Sequence, residues 1–570
     1  MFDPIYTEPK QCQDCYKCVR ECAIKSIRFE GEQKAFIMPD ACIYCGHCVD
    51  VCPVRAKKIR SDLLSVKRWI DEGQEVVAAL APSIIADFKN VEYGQLLSAI
   101  KKLGFSGIVE VSTGAHIITR EIAKHLKVTD QAVSISTACP SVVFLIQKYY
   151  PQLATSLVPF QSPALAVSSE VKKKHGNVRV VFIGPCIAKM KEADLYPELT
   201  DAAIGFVELR EWFTENQVDP SQEKANYEML LDGQGTGRLY PIDGGMCEAL
   251  THFGAQEDAE LLSFSGMHRI KQILDNLVKQ PRSNKKIFLE LLACEGGCLQ
   301  GPLSNKESCL IEKILTQKEM IEERGIGSLD CPETTTTHHL EFPATPLDKT
   351  CFTESEIREA LKSIGKEQHE DELNCSGCGH ETCRDFALAM LSGKANHTMC
   401  VSYMRKLAAN KANVLIKAMP CGIVIVDHEL RILEANDKFT DLLDQEIKQI
   451  KELRGSLQAM LLSKVIPFSQ LFNAVLDTNE EILDKEIQFQ GRILTVSIFP
   501  IEKNRIVGGF IQDVTQPFVQ REQIIKKANE IIIKNLTTVQ KIAYLLGENA
   551  AESEVLINSI VKSFSHNTEK

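Results

Sequence analysis

The chain lacks a surplus of basic residues. Its 65 Lys and Arg are outnumbered by 76 Asp and Glu, for a net charge of -11. This argues against nucleic acid as a partner, because a protein that tracks phosphates carries a basic surplus. A long apolar run is missing too. The longest largely apolar stretch, Val76–Ala86, falls short of the roughly 20 residues that cross a bilayer, so no membrane span is expected. The opening segment, MFDPIYTEPKQC, has neither a basic n-region nor an apolar h-region. No secretory signal is therefore expected, and the expected location is cytoplasmic. With 44% apolar and 25% charged residues, the composition excludes a fully disordered or fibrous chain. At about 100–200 residues per domain, 570 residues predict three to five domains.

Cysteine, by contrast, is abundant: there are 21, and they are clustered. Without a secretory signal, close regular spacings point to metal ligation rather than a disulfide framework, since cytosolic thiols stay reduced. The clusters also mark the organisation. Residues 1–60 hold eight cysteines and little core-forming sequence. Over 70–326, apolar runs of β type (EVVAALAP, GIVEV, AVSISTA, RVVFIGP, IFLELLA) alternate with helical patterns, which predicts an α/β domain with largely parallel strands. Residues 327–350, rich in Pro and Thr, read as a linker in which His338 and His339 are solvated. A Cys-rich segment fills 351–405, short strands and turns fill 411–515, and 516–570 is helical. The fold class is thus multidomain α/β. The apolar stripe from Ile524 to Leu546 is near heptad spacing, which fits either a homodimer coil or a helix packed on its own domain.

Cys12, Cys15, Cys18 and Cys22 form C-x2-C-x2-C-x3-C, and Cys42, Cys45, Cys48 and Cys52 repeat it, followed by Pro53. One tight loop of this kind supplies three thiolates to a 4Fe–4S cluster, and the fourth cysteine serves the other cluster. The predicted sets are therefore Cys12, Cys15, Cys18 and Cys52, and Cys42, Cys45, Cys48 and Cys22. Zinc sites usually show Cys pairs instead of triplets. Two adjacent clusters with no other chemistry are an electron wire.

Four more cysteines follow β-type runs. Cys139 follows AVSISTA and precedes Pro140, a first-position proline that places the thiol near a helix start, where the dipole and unpaired amides favour a thiolate. Cys186 ends RVVFIGP, Cys294 ends IFLELLA, and Cys298 follows Gly296 and Gly297. Carboxyl ends of parallel strands gather where α/β sites form, so these four can close around one cubane. Each alone would read as a buried structural cysteine.

The motifs TACP (137–140), GPCIAKMKE (184–192), GGMCEAL (244–250) and ELLACEGGCLQG (290–301) resemble those of iron-only (FeFe) hydrogenases. The resemblance implies that Cys139, Cys186, Cys294 and Cys298 hold a 4Fe–4S cubane. It further implies that Cys298 bridges to a diiron unit carrying CO, cyanide and a dithiolate amine. By the same resemblance, Lys189 hydrogen-bonds a cyanide and Glu192 is the motif's final glutamate. Catalytic members usually have a proton-passing cysteine where this chain has Ala138, and alanine has no ionisable proton. Gly184 and Leu292 stand where methionines are common, Val158 where a serine is usual, and Glu121 alone where two adjacent acids are frequent. The cluster motifs are kept and the proton path is dismantled.

Cys375, Cys378, Cys383 and Cys400 resemble a small 4Fe–4S domain of redox proteins, with zinc as the alternative occupant. Cys247, Cys309, Cys331, Cys351 and Cys421 are left without ligand roles and read as structural. Residues 420–440 resemble the opening of a PAS domain, with Asn436 and Phe439, and GGFIQDVT (508–515) resembles its last strand; Cys421 and His428 read as strand packing and turn. DGQGTG (232–237) lacks a nucleotide-binding context and reads as a turn.

The expected protein is a hydrogen or redox sensor of FeFe-hydrogenase type, with four 4Fe–4S clusters and the diiron unit. It is expected to turn over hydrogen and protons slowly and to signal to a kinase or phosphatase, with ferredoxin as a further partner. The rival readings are a working ferredoxin-linked hydrogenase and a non-enzymatic hydrogenase-like iron–sulfur assembly protein.

Overall fold

The repeated cysteine run folds as a backbone repeat. In the computed structural model, which describes residues 3–30, 34–231, 235–279, 285–324, 337–348 and 350–515, Asp14, Tyr16 and Lys25 have left-handed φ of 56°, 56° and 51°; Tyr44, Gly46 and Arg55, thirty residues on, have 56°, 81° and 51°. The first two of each three turn the chain between successive cysteines, and the third turns it just after the fourth. Ile5–Thr7 pairs antiparallel with Lys57–Ile59, and Ile27–Glu30 with Lys34–Ile37, closing the two halves on each other.

The apolar runs of 70–326 form parallel strands, in two sheets. One has the order Gly107–Glu110, Val76–Leu80, Arg179–Ile183, Ala202–Ile204. The other has the order Glu260–Ser265, Ile287–Leu292, Val133–Ile135. Val76–Leu80 is buried at every residue, as expected for a central strand covered by helices on both faces. The sequence reading missed Ala202–Ile204, which is three residues long, and Glu260–Ser265, which lies half-buried at an edge. Helix Val111–Val128 packs on Pro163–His175 so closely that a Cβ at Gly114 would lie 2.1 Å from the Pro163 carbonyl oxygen.

One loop expectation needs correction. Residues 337–348, read as linker, run along the α/β domain. The Gln161 amide donates to the His338 carbonyl, the Leu340 amide to Pro159, and the Thr345 amide to Gln147. His338 is 4% exposed, not solvated, with Nε2 3.0 Å from a Glu170 carboxylate oxygen and Nδ1 3.3 Å from Gln161 Oε1. Backbone pairing captures the polar segment, a signal that composition does not carry. Of 232–237, residues 232–234 are outside the described residues, whereas Gly235–Leu239 is a buried 3-10 turn whose Arg238 pairs with fully buried Glu110 at 3.1 Å.

Residues 350–396 add helices Glu354–Ser363 and Cys383–Leu391, packed through Ile357, Leu361, Ile364 and Phe386. They belong with the preceding domains to one unit, Met1–Asn396; the second unit begins at His397.

In the second unit, helix Val401–Ala418 crosses the expected boundary between 405 and 411, since no Gly or Pro interrupts it. A five-stranded antiparallel sheet follows, in the order Ile432–Ala435, Gly422–Asp427, Ile506–Asp513, Arg492–Glu502, Ile482–Phe489. Asn436 ties the helix to this sheet. Its Oδ1 accepts from the Ile423 and Phe439 amides, and its Nδ2 donates to the Ile416 and Cys421 carbonyls, all at 2.8–2.9 Å. The expected helix and dimer stripe at 516–570, and Cys331, lie outside the described residues. Among the described residues, no helix is long and apolar enough to cross a membrane.

Candidate functional site

The strand-end cysteines meet where the two sheets present their carboxyl ends. Cys186 leaves Arg179–Ile183 in one sheet; Cys139 and Cys294 follow Val133–Ile135 and Ile287–Leu292 in the other. The expected single sheet edge is thus a junction of two. Cys139 is the N-cap of helix Pro140–Tyr149. Cys298 is turned inward by Gly297 (φ 82°), where a Cβ would lie 2.5 Å from the Pro241 carbonyl oxygen, and the Cys298 amide donates to that same oxygen at 2.9 Å. The four line one cavity of about 100 Å³ with Ala138, Lys189, Glu290 and Leu292.

Burial raises all four thiols, Cys186 to about 11, and each of Cys186, Cys294 and Cys298 is raised further by its neighbours in the set. At Cys139 the Ser141 and Val142 amides work against burial, so the helix start helps, as the sequence suggests, but desolvation wins. Lys189 opposes the rise at Cys139, Cys186 and Cys298. A thiol set that resists ionisation alone becomes a good donor set when metal supplies the positive charge. The residues fit a cubane.

Lys189 is 9% exposed and donates to Glu192 Oε2 and Ser162 Oγ, both at 2.7 Å; the Ser162 hydroxyl donates to Glu192 at 2.9 Å. A buried ammonium is thereby neutralised and aimed. Ser162, which precedes Pro163 in the sequence and has no role in the sequence reading, caps helix Pro163–His175 and accepts from the Leu165 amide.

Glu290 was also missed. It is 1% exposed on Ile287–Leu292 and lines the cavity; Oε2 accepts from the Cys247 amide at 2.9 Å, while Oε1 is buried without a hydrogen-bond partner among the described residues. Burial raises its carboxyl to about 7. A lone acid inside the apolar run IFLELLA was the available signal. Cys247, read as structural, touches this group, and burial together with Glu290 pushes its thiol up.

The other departures have physical counterparts. Ala138, Val158 and Met246 share one apolar cluster, with Val158 fully buried. A Cβ at Gly184 would meet the Phe182 ring at 2.4 Å, so that ring fills the space a longer side chain would need. Glu121 is half-buried and pairs with Arg120 at 3.3 Å and Lys124 at 3.1 Å.

In the N-terminal repeat, Cys18 feels Cys15, Cys12 and Cys52, whereas Cys48 feels Cys45, Cys42 and Cys22. Amides of Tyr44, Ser26 and Ala56 point at the sulfurs of Cys42, Cys22 and Cys52, at 3.3, 3.4 and 3.2 Å. The second loop is clamped to helix Pro140–Tyr149: Lys148 donates to the Cys42 carbonyl and Tyr149 to the Ala41 carbonyl, each at 2.7 Å. Cys45 lines the four-cysteine cavity and adds to the rise at Cys294. Cys375, Cys378 and Cys383 lie in the first unit, and Cys400 caps Val401–Ala418 in the second. Cys309 and Cys351 are exposed and Cys421 is buried. Among the described residues, no three His, Cys, Asp or Glu side chains close to single-ion distance; a cubane holds its thiolates farther apart than one ion does.

The family "Iron only hydrogenase large subunit, C-terminal domain" matches residues 74–302, "4Fe-4S dicluster domain" matches 4–53, and an Fe-S cluster family matches 371–402. Iron hydrogenase 1 of Clostridium pasteurianum is 24% identical over 318 residues, covering 44% of this chain and 53% of that protein. The chain thus spans about half the length of that relative. An FeFe-hydrogenase structure from Chlamydomonas reinhardtii aligns over 50% of this chain and all of its own, at 16% identity and TM-score 0.38. A Bordetella pertussis PAS domain aligns over 22% of this chain and 96% of its own, at 19% identity and TM-score 0.13.

Proposed function

From the match of residues 74–302 to the iron-only hydrogenase family, we propose that the chain is a hydrogen sensor whose reading leaves through iron–sulfur clusters and a PAS-type domain. The observation that carries this is the cavity itself, where four converging thiols and the buried Lys189 are kept while the wall beside Ala138 is apolar. Cys139, Cys186, Cys294 and Cys298 would hold the cubane. When bound, the diiron unit with CO, cyanide and a dithiolate amine supplies the metal and the base for heterolytic cleavage of hydrogen. Lys189 would direct its ammonium at a cyanide, positioned by Glu192 and Ser162. Glu290 offers Oε1 as a place to hold a proton, and its carboxyl titrates near neutrality.

What the chain does not offer is a relay through position 138, so a proton held at Glu290 has no carrier on that wall. Ala138, Val158 and Met246 have no acid–base group, so protons leave slowly and turnover is low. A slow site suits sensing, because the bound state persists long enough to be read. Cys45 beside Cys294 starts the electron route toward the N-terminal clusters. In the second unit, the five-stranded sheet and Asn436 fit a PAS-type output domain, whose partner is a signalling protein; ferredoxin would set the resting redox state.

The test is to expose the maturated, oxidised full-length protein to hydrogen without mediators. Cluster reduction seen by electron paramagnetic resonance (EPR), with slow hydrogen turnover in the same sample, is expected. Turnover as fast as that of catalytic family members would end the sensor reading in favour of a working ferredoxin-linked enzyme.

A further inference from the structure

The cavity of the second N-terminal thiol set opens on its far side toward the C-terminal Cys-rich segment. A cleft of about 850 Å³ is lined by Cys22, Cys42, Cys45 and Cys48 on one wall and by Gly379, His380 and Asp385 on another. The two walls are locked together by backbone. Gly379, at φ 84°, sits so close that a Cβ would lie 2.6 Å from Arg20 Cα, and the Phe29 amide donates to the Gly393 carbonyl at 3.0 Å. No side chain but hydrogen fits at that first contact.

Lys25 stands at the junction. Its Nζ donates to the Arg20 carbonyl at 2.6 Å and reaches Val19 at 3.4 Å. Burial lowers its pKa, and thiols from both walls, Cys22 and Cys378, pull it back up. His380 is 7% exposed, faces the cleft, and has a buried Nε2 with no hydrogen-bond partner among the described residues, leaving that nitrogen for a bound group.

We propose that the Cys22, Cys42, Cys45 and Cys48 site is a branch point, with Cys45 facing the four-cysteine cavity and Lys25 bridging to the Cys375, Cys378 and Cys383 loop as a cation shared by two clusters. This rests on the iron–sulfur reading above. Hydrogen yields two electrons and two protons at the first cavity; the protons pass to solvent, one electron stays on the other N-terminal cluster, and the second reaches the branch. At the branch one electron moves from the cluster beside Lys25 to the cluster on the Cys378 loop, so the first is oxidised and the second reduced, with no bond made and no proton transferred. Lys25 acts as a positioning residue: its positive charge stabilises the more negative, reduced form of both clusters. The Cys12, Cys15, Cys18 and Cys52 site has its own cation, Lys34, which donates to the Cys12 carbonyl at 2.9 Å and to Asp14 at 3.0 Å.

The experiment is an EPR-monitored potentiometric titration of the full-length protein carrying its iron–sulfur clusters. Lys25→Gln should lower the midpoint potentials of both the branch cluster and the Cys378-loop cluster, Lys25→Arg should restore them, and Lys34→Gln should lower only the remaining N-terminal cluster. Cys378→Ser, which removes the loop cluster, should sharpen the reduced branch cluster's signal by removing its spin neighbour. A Lys25→Gln shift confined to one cluster, or an unchanged branch signal in Cys378→Ser, would overturn the branch while leaving the cluster reading intact. Wild-type protein without the loop cluster's signal would overturn the cluster reading and the branch with it.

Discussion

Replacing Ala138 with cysteine is expected to raise hydrogen evolution by about 10²-fold, at the lower end of what a positioned acid–base group contributes. Position 138 lines the cavity directly beside Cys139, so a thiol there would stand where protons must leave the reacting centre. The gain should stop short of the upper end, because the neighbours of Ala138 in its apolar cluster, Val158 and Met246, carry no acid–base group. Adding Val158→Ser should raise the rate further, and Val158→Ser alone should do little, since a relay with its first member missing carries no proton. Diiron loading must be matched between variants before rates are compared. No rise in Ala138→Cys would place the block further out, at Val158, and a fall would show that the apolar wall contributes something other than a missing relay.

The second large effect concerns metal content. Four 4Fe–4S clusters imply roughly sixteen cubane irons by ligand counting. Cys294→Ala should remove about a quarter of them and all hydrogen turnover, while the clusters of the N-terminal repeat and the 375–400 segment survive, because their thiol sets are disjoint from Cys294. Iron and acid-labile sulfide analysis checks this directly. Zinc in the 375–400 segment, or collapse of every cluster in Cys294→Ala, would contradict the assignment. The second outcome would mean that Cys294, which lies near Cys45, holds the N-terminal sets in shape as well.

Much of this arrangement is legible in the residues alone. The thirty-residue cysteine repeat reads directly, because each cysteine loop is local and its turns recur with the cysteines. The strands that deliver Cys139, Cys186 and Cys294 read from their apolar runs, since buried parallel strands need no alternation. What the sequence hides is the partition of those strands into two sheets, which depends on pairings between distant segments. Glu290 is hidden because a buried acid looks like one polar interruption until its unpaired oxygen is placed. His338 and the 337–348 strap are hidden because their burial comes from backbone hydrogen bonds that any sequence can make. Lys25 is hidden for a further reason: its two thiol neighbours come from segments more than three hundred residues apart.

The central claim is that the four-cysteine cavity carries a diiron unit although its first proton relay is gone. Infrared spectroscopy of the maturated full-length protein tests it most directly, because metal-bound CO and cyanide absorb where protein does not. The account predicts CO and cyanide bands that change on exposure to hydrogen, and that Cys298→Ala abolishes while Ala138→Cys retains them. Maturated protein with a full complement of cubane iron and no such bands would contradict the account, and would favour the rival reading of a hydrogenase-like assembly protein.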